Sequence, residues 1–323
     1  MPNPVLYDNN IDVPDEMLLG NLLFMNVTDM TASPNEIKNI FAKNGLDEDY
    51  VRQIHASDAF RRATSSIKHR KIAVPGEPEI RTEITEVTCD KNIIKRILTF
   101  RSIDEVAEEV EYENVAEIIF NRSSESLKVI VYSNFIAANS TLSAEAQKLC
   151  HEAEKTYYDW KTYHNRDTIR NIINRIVDDM HPVNLMPTGI CKFIPKKYSD
   201  TVNGLKGSLE DLNSFTNKPE AENIVETIPV IDTSEQRDLI RKNAESEIYE
   251  EMFAITQELK DIIVSKNLIP KKTAMSYAQK LKVIREKISD YNSLIALYDG
   301  AIMTQLKEAV KLIDENKEED ACA

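Results

Sequence analysis

His55 and Asp58 are the residues of this chain whose types and spacing best suit acid–base chemistry. They lie three positions apart in a segment with helical periodicity, so an imidazole and a carboxylate would share one helical face. Arg61 and Arg62 follow within one turn and could hold an anion beside the pair. No nucleophile stands at a fixed spacing from these groups, and ordinary surface pairing accounts for the same residues. The sequence therefore assigns no catalytic site.

The other histidines and the paired acids do not form a metal-binding pattern. His151, His164 and His181 lie on or at the end of a predicted long helix, but no two are four residues apart, as a helical metal pair requires. We expect these histidines to be exposed or to cap helices. Asp178–Asp179 and Glu250–Glu251 are adjacent acids, which point to different faces of a helix. We therefore expect no metal and no cofactor.

Composition narrows the function classes further. The chain has 323 residues, of which 42% are hydrophobic and 29% charged, as is typical of a folded protein. Its four cysteines lack a C-x-x-C spacing, which favours reduced thiols, and seven glycines leave no Gly-rich nucleotide cradle. No apolar run reaches bilayer length and no signal peptide is evident, so we expect a cytoplasmic protein without a membrane segment. The pattern leans against an enzyme and identifies no small-molecule substrate, although an unrecognised active site remains an alternative.

Charge is unevenly distributed along the chain. The segment from Tyr50 to Arg101 has eleven Lys and Arg against six Asp and Glu, a balance of +5 within a total of −14, so the remainder carries −19. Such asymmetry is typical of a phosphate-binding face, which predicts nucleic-acid binding. A dock for an acidic partner, including the acidic half of a second copy, and a solvated surface without ligand are alternatives. The candidate binding residues are Arg61, Arg62, Lys68, Arg70, Lys71, Lys95 and Arg96.

The C-terminal third carries the most regular apolar pattern, with alternating steps of three and four residues that predict a long coiled-coil face. A similar stripe precedes it, and Pro270 suits the first turn of a new helix. We therefore expect an antiparallel helix pair over residues 235–266 and 271–316. The face is either a seam within one chain or shared between subunits, and its tyrosines favour a homo-oligomer. The seam residues are Tyr277, Leu281, Ile284, Ile288, Tyr291, Ile295, Tyr298 and Ile302.

The N-terminal half alternates between helical and strand periodicity. Ser33 and Glu36 form a capping box at the start of one helix, and a second is predicted over residues 47–67. From Ile80 to Tyr132 apolar and polar residues alternate, which predicts an antiparallel β meander with one wet face. Helices on the other face make this an α+β arrangement.

These elements predict two domains and a tail. Residues 1–134 are expected to form the α+β domain with the antiparallel meander. Residues 141–316 are expected to form a long-helix domain, in which residues 189–231 are a small strand–helix–strand insertion. Residues 317–323 form an acidic tail.

The order of Asp58-Ala-Phe-Arg-Arg-Ala63, a β meander, Gly189-Ile-Cys-Lys-Phe-Ile-Pro195 before a helix, and a paired-helix C-terminus resembles an uncharacterised family carried by bacteriophages and bacteria. That family has no established activity, catalytic residue or cofactor, so the resemblance implies a viral or mobile-element context. We therefore expect a non-catalytic, oligomeric interaction protein that binds nucleic acid through the basic segment. The alternative is a viral inhibitor that binds a host defence protein through the acidic helical half.

Overall fold

The computed structural model describes residues 17–73, 79–104, 109–132, 140–186, 191–218, 220–266, 268–297 and 300–316. Its contacts divide the chain into two compact units, each assembled from separate segments. Unit 1 comprises Met1–Thr28, Ile40–Tyr50 and Arg170–Ala323, and unit 2 comprises Asp29–Asn39 and Val51–Ile169.

The helices and strands follow the chain in a mixed order. The first half contains β1 (Leu18–Asn26), β2 (Thr31–Ala32), α1 (Pro34–Lys43), α2 (Ala56–Ser65), β3 (Lys71–Ile72), β4 (Glu79–Cys89), β5 (Ile93–Asp104), β6 (Glu109–Asn121), β7 (Ser126–Val131) and α3 (Ser140–Thr162). The second half contains β8 (His164–Asn165), α4 (Arg166–Asp178), β9 (Val183–Asn184), β10 (Lys192–Pro195), α5 (Ser199–Leu212), β11 (Ile224–Ile231), α6 (Ser234–Lys266), α7 (Lys271–Ile295) and α8 (Gly300–Asn316).

Unit 2 is built on a five-stranded antiparallel sheet in the order β3-β4-β5-β6-β7. Alternate residues such as Ile84, Leu98 and Ile118 are buried on one face, where Phe60 of α2 and Tyr157 of α3 complete the core. A period of two therefore selects which side chains face the helices. The predicted antiparallel meander with helices on one face, and with it the α+β class, is confirmed.

Unit 1 contains a four-stranded antiparallel sheet in the order β11-β1-β10-β9. Strand β1 is central: Leu22 pairs with Phe193 of β10 and with Ile228 of β11. An N-terminal strand thus belongs with the C-terminal segments, and the two units are not separated by one cut between residues 134 and 141 as predicted. The pairing joins residues distant in sequence, and no local pattern reports it. The strand, helix and strand predicted within residues 189–231 are β10, α5 and β11, although residues 187–190 lie outside the described residues.

Helices α6, α7 and α8 form a packed layer in unit 1, so the long C-terminal helices expected from the apolar stripes are present. The predicted second helix over residues 271–316 is replaced by two, because α7 ends at Ala296, whose φ is 51°. Asn292 satisfies the end of the helix: its carbonyl accepts from the Ala296 amide and its side-chain oxygen accepts from the Leu297 amide at 3.0 Å. Helix α8 then packs against α6. The acidic tail lies outside the described residues.

Within the part of the chain that the structure describes, no helix is both long enough and apolar enough to cross a bilayer.

Candidate functional site

The structure brings Arg61 and Arg96 together around one carboxylate. Both guanidinium groups donate to Glu86 Oε2, Arg61 at 3.2 Å and Arg96 at 3.3 Å. Arg96 also donates to the Arg61 carbonyl at 2.9 Å and the Thr64 hydroxyl at 2.8 Å. Its side chain is only 13% exposed. Arg96 therefore ties β5 to α2, and the hydrogen bond from Arg61 holds the pKa of Glu86 below its usual range.

Most of the other predicted binding residues are also neutralised within unit 2. Lys95 and Arg96 are neighbours on a strand and so point to opposite faces of the sheet, which separates them as ligands. Exposed ion pairs contribute about 0–1 kcal/mol each, but they compensate the local charge that a phosphate would need. The pairs are Lys68 with Glu83 (3.7 Å), Arg70 with Glu152 (2.6 Å), Lys71 with Glu79 (2.8 Å) and Lys95 with Glu117 (3.3 Å).

Arg62 differs from the other six. Its guanidinium carbon lies 5.0 Å from the centre of the Trp160 ring, and its Nη2 donates to the Thr168 hydroxyl at 3.2 Å. Among the described residues no carboxylate lies within ion-pair distance of it, and the side chain is exposed. Arg62 is therefore a positioned guanidinium whose charge is not compensated.

Trp160, which contacts this arginine, belongs to an aromatic run that the sequence analysis treated only as a helix face. Tyr157, Tyr158, Trp160 and Tyr163 occur within seven positions, with Lys161 between the last two and Arg166 after them. Tyr158 and Tyr163 are 47% and 44% exposed, whereas Tyr157 is buried and donates its hydroxyl to a carbonyl. Aromatic residues alternating with cations are a signal of nucleic-acid binding. That signal is readable from the sequence and was missed.

His55 and Asp58, weighed above as an acid–base pair and given no catalytic assignment, do not contact each other, and Asp58 makes the ordinary surface pairing instead. His55 is the N-cap residue of α2, where its ring is exposed and makes no capping hydrogen bond. Asp58 lies 3.8 Å from Arg61 instead. A spacing of three residues permits contact on a helix, but His55 lies outside the helical turn, and its side chain leaves in another direction.

Two of the three histidines expected to be exposed or to cap helices are buried. His151 is exposed, but His164 and His181 are 6% and 8% exposed. In unit 2, His164 Nε2 lies 3.0 Å from the Arg52 carbonyl. Burial lowers the pKa of His164, the Arg52 contact raises it, and the nearby charge of Arg62 lowers it further. Both histidines follow long helices, where an exposed position was the simpler expectation.

His181 belongs to a polar cluster in unit 1 with Asp290, Lys197, Tyr198 and Tyr291, in which His181, Asp290 and Tyr291 are buried and the Lys197 side chain is 49% exposed. His181 Nδ1 lies 2.7 Å from Asp290 Oδ2, and Tyr198 donates its hydroxyl to the same oxygen at 2.8 Å. Lys197 donates to the other carboxylate oxygen, and Tyr291 donates to the His181 carbonyl at 3.0 Å. His181 has a φ of 50°, which costs a non-glycine residue about 1–2 kcal/mol. The surrounding bonds hold that conformation.

The cluster has the chemistry of an oriented imidazole. Burial raises the pKa of Asp290, but hydrogen bonds from Lys197, His181 and Tyr198 outweigh burial and hold that pKa below its usual range. An ionised Asp290 accepts a hydrogen bond from Nδ1 of His181, which fixes the orientation of the ring. Burial is the main cause that raises the pKa of Tyr198 to about 12, so it stays a donor. These groups are remote in sequence, and only the fold brings them together.

The seam residues of α7 and α8 are buried within the chain. Leu281, Ile284, Ile288, Tyr291, Ile295 and Ile302 are each at most 6% exposed and belong to the core of unit 1. Tyr277 is partly buried and donates its hydroxyl to Glu258 at 2.7 Å, and Tyr298 lies outside the described residues. The apolar side chains of this face are covered by other residues of the same chain, as in the alternative of a seam within one chain.

The paired acids are engaged separately and do not converge. Asp178 lies 3.5 Å from Lys192, and Asp179 accepts the Tyr50 hydroxyl at 2.6 Å. Glu251 lies 3.4 Å from buried Lys287. Over the described ranges, no group of three or more His, Cys, Asp or Glu has the geometry to hold a metal ion.

With both units described, their family can be stated. The model of a family of unknown function, DUF6744, matches residues 18–318. The chain belongs to this family. The match spans both compact units, so DUF6744 describes them together. Neither the curated proteins nor the solved structures contain a significant match to the chain.

Proposed function

We propose that this DUF6744 protein binds nucleic acid through unit 2, with Arg62 as the principal phosphate-binding residue. Of the seven predicted cations, Arg62 alone combines exposure, a fixed orientation and an uncompensated charge, and this observation carries the proposal. We further propose that the protein works in the cytoplasm of a bacterial cell, in a bacteriophage or mobile-element setting. Self-association remains part of the proposal, on a surface other than the buried seam.

The physical basis is the cost of freeing a guanidinium for a phosphate. Arg61 and Arg96 would have to release Glu86, and Arg70 would have to release Glu152. Arg62 has no such carboxylate partner to lose within the part of the chain that the structure describes. Arg52 is a second exposed guanidinium without an ion pair among the described residues, and its carbonyl contacts His164, whose pKa the charge of Arg62 also lowers. The backbone of Arg52 and the charged group of Arg62 therefore both lie near His164.

Salt-dependent binding tests this proposal. Fluorescence anisotropy of labelled single-stranded and duplex DNA and RNA, followed from roughly 50 to 200 mM salt, gives the number of phosphates contacted. Two uncompensated arginines predict a slope of log affinity on log salt near about −2, whereas all seven cations would give about −5 to −6. Failure of every nucleic acid to bind at low salt would refute the proposal.

The substitution that matters is Arg62→Ala, which should weaken binding by about tenfold or more because a charge-assisted contact is lost. The matched control is Lys155→Ala, which removes one exposed charge from α3 of the same unit. Equal weakening by both substitutions would show that general charge, and not the oriented guanidinium, holds the nucleic acid.

A second candidate function is binding of a host protein through α6. Tyr249 and Phe253 stack with their ring centres 6.3 Å apart while 40% and 46% exposed. Leu239 and Val264, 51% and 84% exposed, extend the same helical face. Exposed aromatic residues of this kind mark protein interfaces. Affinity capture from host lysate should return one stoichiometric protein, and its loss in a Tyr249→Ser, Phe253→Ser variant would tie it to this face.

A further inference from the structure

The contact between Arg62 and Trp160 bears on whether unit 2 would bind single-stranded or duplex nucleic acid. Trp160 supports the Arg62 guanidinium from one side, and the Thr168 hydroxyl fixes its edge. Because Arg62 is exposed, the guanidinium plane offers an outer face on which a flat group can stack. The Arg62–Trp160 pair is thus a preformed platform.

Tyr163 extends the platform. It follows Trp160 by three positions and comes directly after the last residue of α3, Thr162, where its amide still donates to the Asp159 carbonyl at 2.8 Å. Tyr163 is 44% exposed, so one side of its ring is available to a ligand. The chain therefore places a second exposed aromatic ring three residues after Trp160.

The net charge of this surface is too small to give it much affinity for a phosphate backbone. Between residues 155 and 168 the chain has three Lys and Arg against two Asp. Lys161 is also paired with Glu125 at 2.7 Å. A backbone-only contact with a duplex depends on several uncompensated cations, whereas base stacking adds affinity without further charge. Bases in a duplex are stacked inside it and are not available to such a surface.

We propose that the Arg62–Trp160 pair and Tyr163 form a stacking site for unpaired bases, so that unit 2 prefers single-stranded nucleic acid over duplex. This inference rests on the proposed nucleic-acid binding and specifies its ligand. Stacking is tolerant of sequence, so the site discriminates by strand state and not by base identity.

The single tryptophan of the chain makes the site directly observable, because Trp160 is the only source of indole emission. The full-length protein is titrated at low salt with an oligothymidylate of about 16 nucleotides and with a hairpin duplex of equal charge. We expect quenching of Trp160 by the single strand and an affinity about tenfold above that for the duplex.

Tyr163→Ala should weaken single-strand binding by about fivefold or more and leave duplex binding unchanged, since only the stacked base is lost. The control is Tyr112→Ala, which removes another exposed tyrosine of unit 2, one that lies 5.9 Å from an arginine. Far-UV circular dichroism checks that both variants fold.

The outcomes separate the two proposals. Duplex binding as tight as single-strand binding, equal losses in both ligands on Tyr163→Ala, or binding without a change in Trp160 emission would each overturn the stacking site while nucleic-acid binding stands. Absence of any binding would overturn both.

Discussion

The carboxylate of Asp290 is the shared acceptor of the polar cluster in unit 1. It accepts hydrogen bonds from His181, Lys197 and Tyr198 while only 9% exposed. Removing the carboxylate from this cluster costs more than an exposed pair contributes, because His181 then stays buried without its charged partner. The cluster therefore links the end of α4, the start of α5 and the last turns of α7 through one carboxylate.

Asp290→Asn should lower the free energy of unfolding by about 2–3 kcal/mol at neutral pH, measured by urea denaturation. The folded pKa of Asp290 is depressed, so its stabilisation is present above the unfolded value near about 3.9 and is lost as pH falls through the folded pKa. The variant should therefore lose less stability than the parent protein on acidification. Asp238→Asn is the control, since the Asp238 side chain is 70% exposed, and a change there should stay within about 0.5 kcal/mol. Parallel pH profiles for the parent protein and Asp290→Asn would contradict this assignment.

Helix α5 is held close to the loop after α1 by a position without a side chain. A Cβ at Gly204 would lie 2.5 Å from the Asn44 carbonyl oxygen and 3.1 Å from a methyl group of Leu46. Backbone cannot yield as a flexible side chain can, so this contact decides the packing of the helix. At Gly300, the first residue of α8, an added Cβ would have no atom within 4 Å beyond its own chain neighbours.

Gly204→Ala should destabilise the protein by about 1–3 kcal/mol despite the gain in helix propensity, because the added methyl group overpacks a backbone contact. Gly300→Ala makes the same chemical change and should be neutral or stabilising by up to about 1 kcal/mol. Thermal and urea unfolding of the two variants measure the difference. Stabilisation by both would show that α5 can move away from Asn44.

Individual elements were predictable where the pattern is local. The capping box is present, with the Ser33 amide donating to Glu36 at 2.8 Å, and the period of two correctly marked the meander. The break at Ala296, where φ is 51°, was not predictable, because alanine is a strong helix former and its residue type gives no signal for a left-handed conformation. The ion pairs of the basic segment were also hidden, since acids such as Glu86 and Glu152 come from other elements.

For the molecule as a whole, the apolar face of α7 is buried within the core of unit 1 of the same chain. Ile288 is 6% exposed within the core of unit 1, whereas Val283 on the same helix is 40% exposed. A charge introduced at Ile288 would be buried without a partner, whereas a charge introduced at Val283 would be solvated by water. The two positions therefore separate an internal seam from a contact between subunits.

Ile288→Asp should cost about 3 kcal/mol or more and reduce the helical circular dichroism signal, while Val283→Asp should leave both the signal and the mass unchanged. Unfolding followed by circular dichroism and mass measured by light scattering test this. If Ile288→Asp instead gave a well-folded protein of half the native mass, the seam would lie between subunits.

The central place of β1 in its sheet has a consequence for synthesis. Its partner Phe193 emerges roughly 170 residues after Leu22, which at ribosomal speeds is roughly 10–30 s. The last segment of unit 2 ends at Ile169, so all of unit 2 is synthesised before Phe193 emerges. Until then the nascent Leu-Leu-Gly-Asn-Leu-Leu-Phe segment lacks its strand partners. It is therefore an apolar segment that a ribosome-associated chaperone would protect during translation.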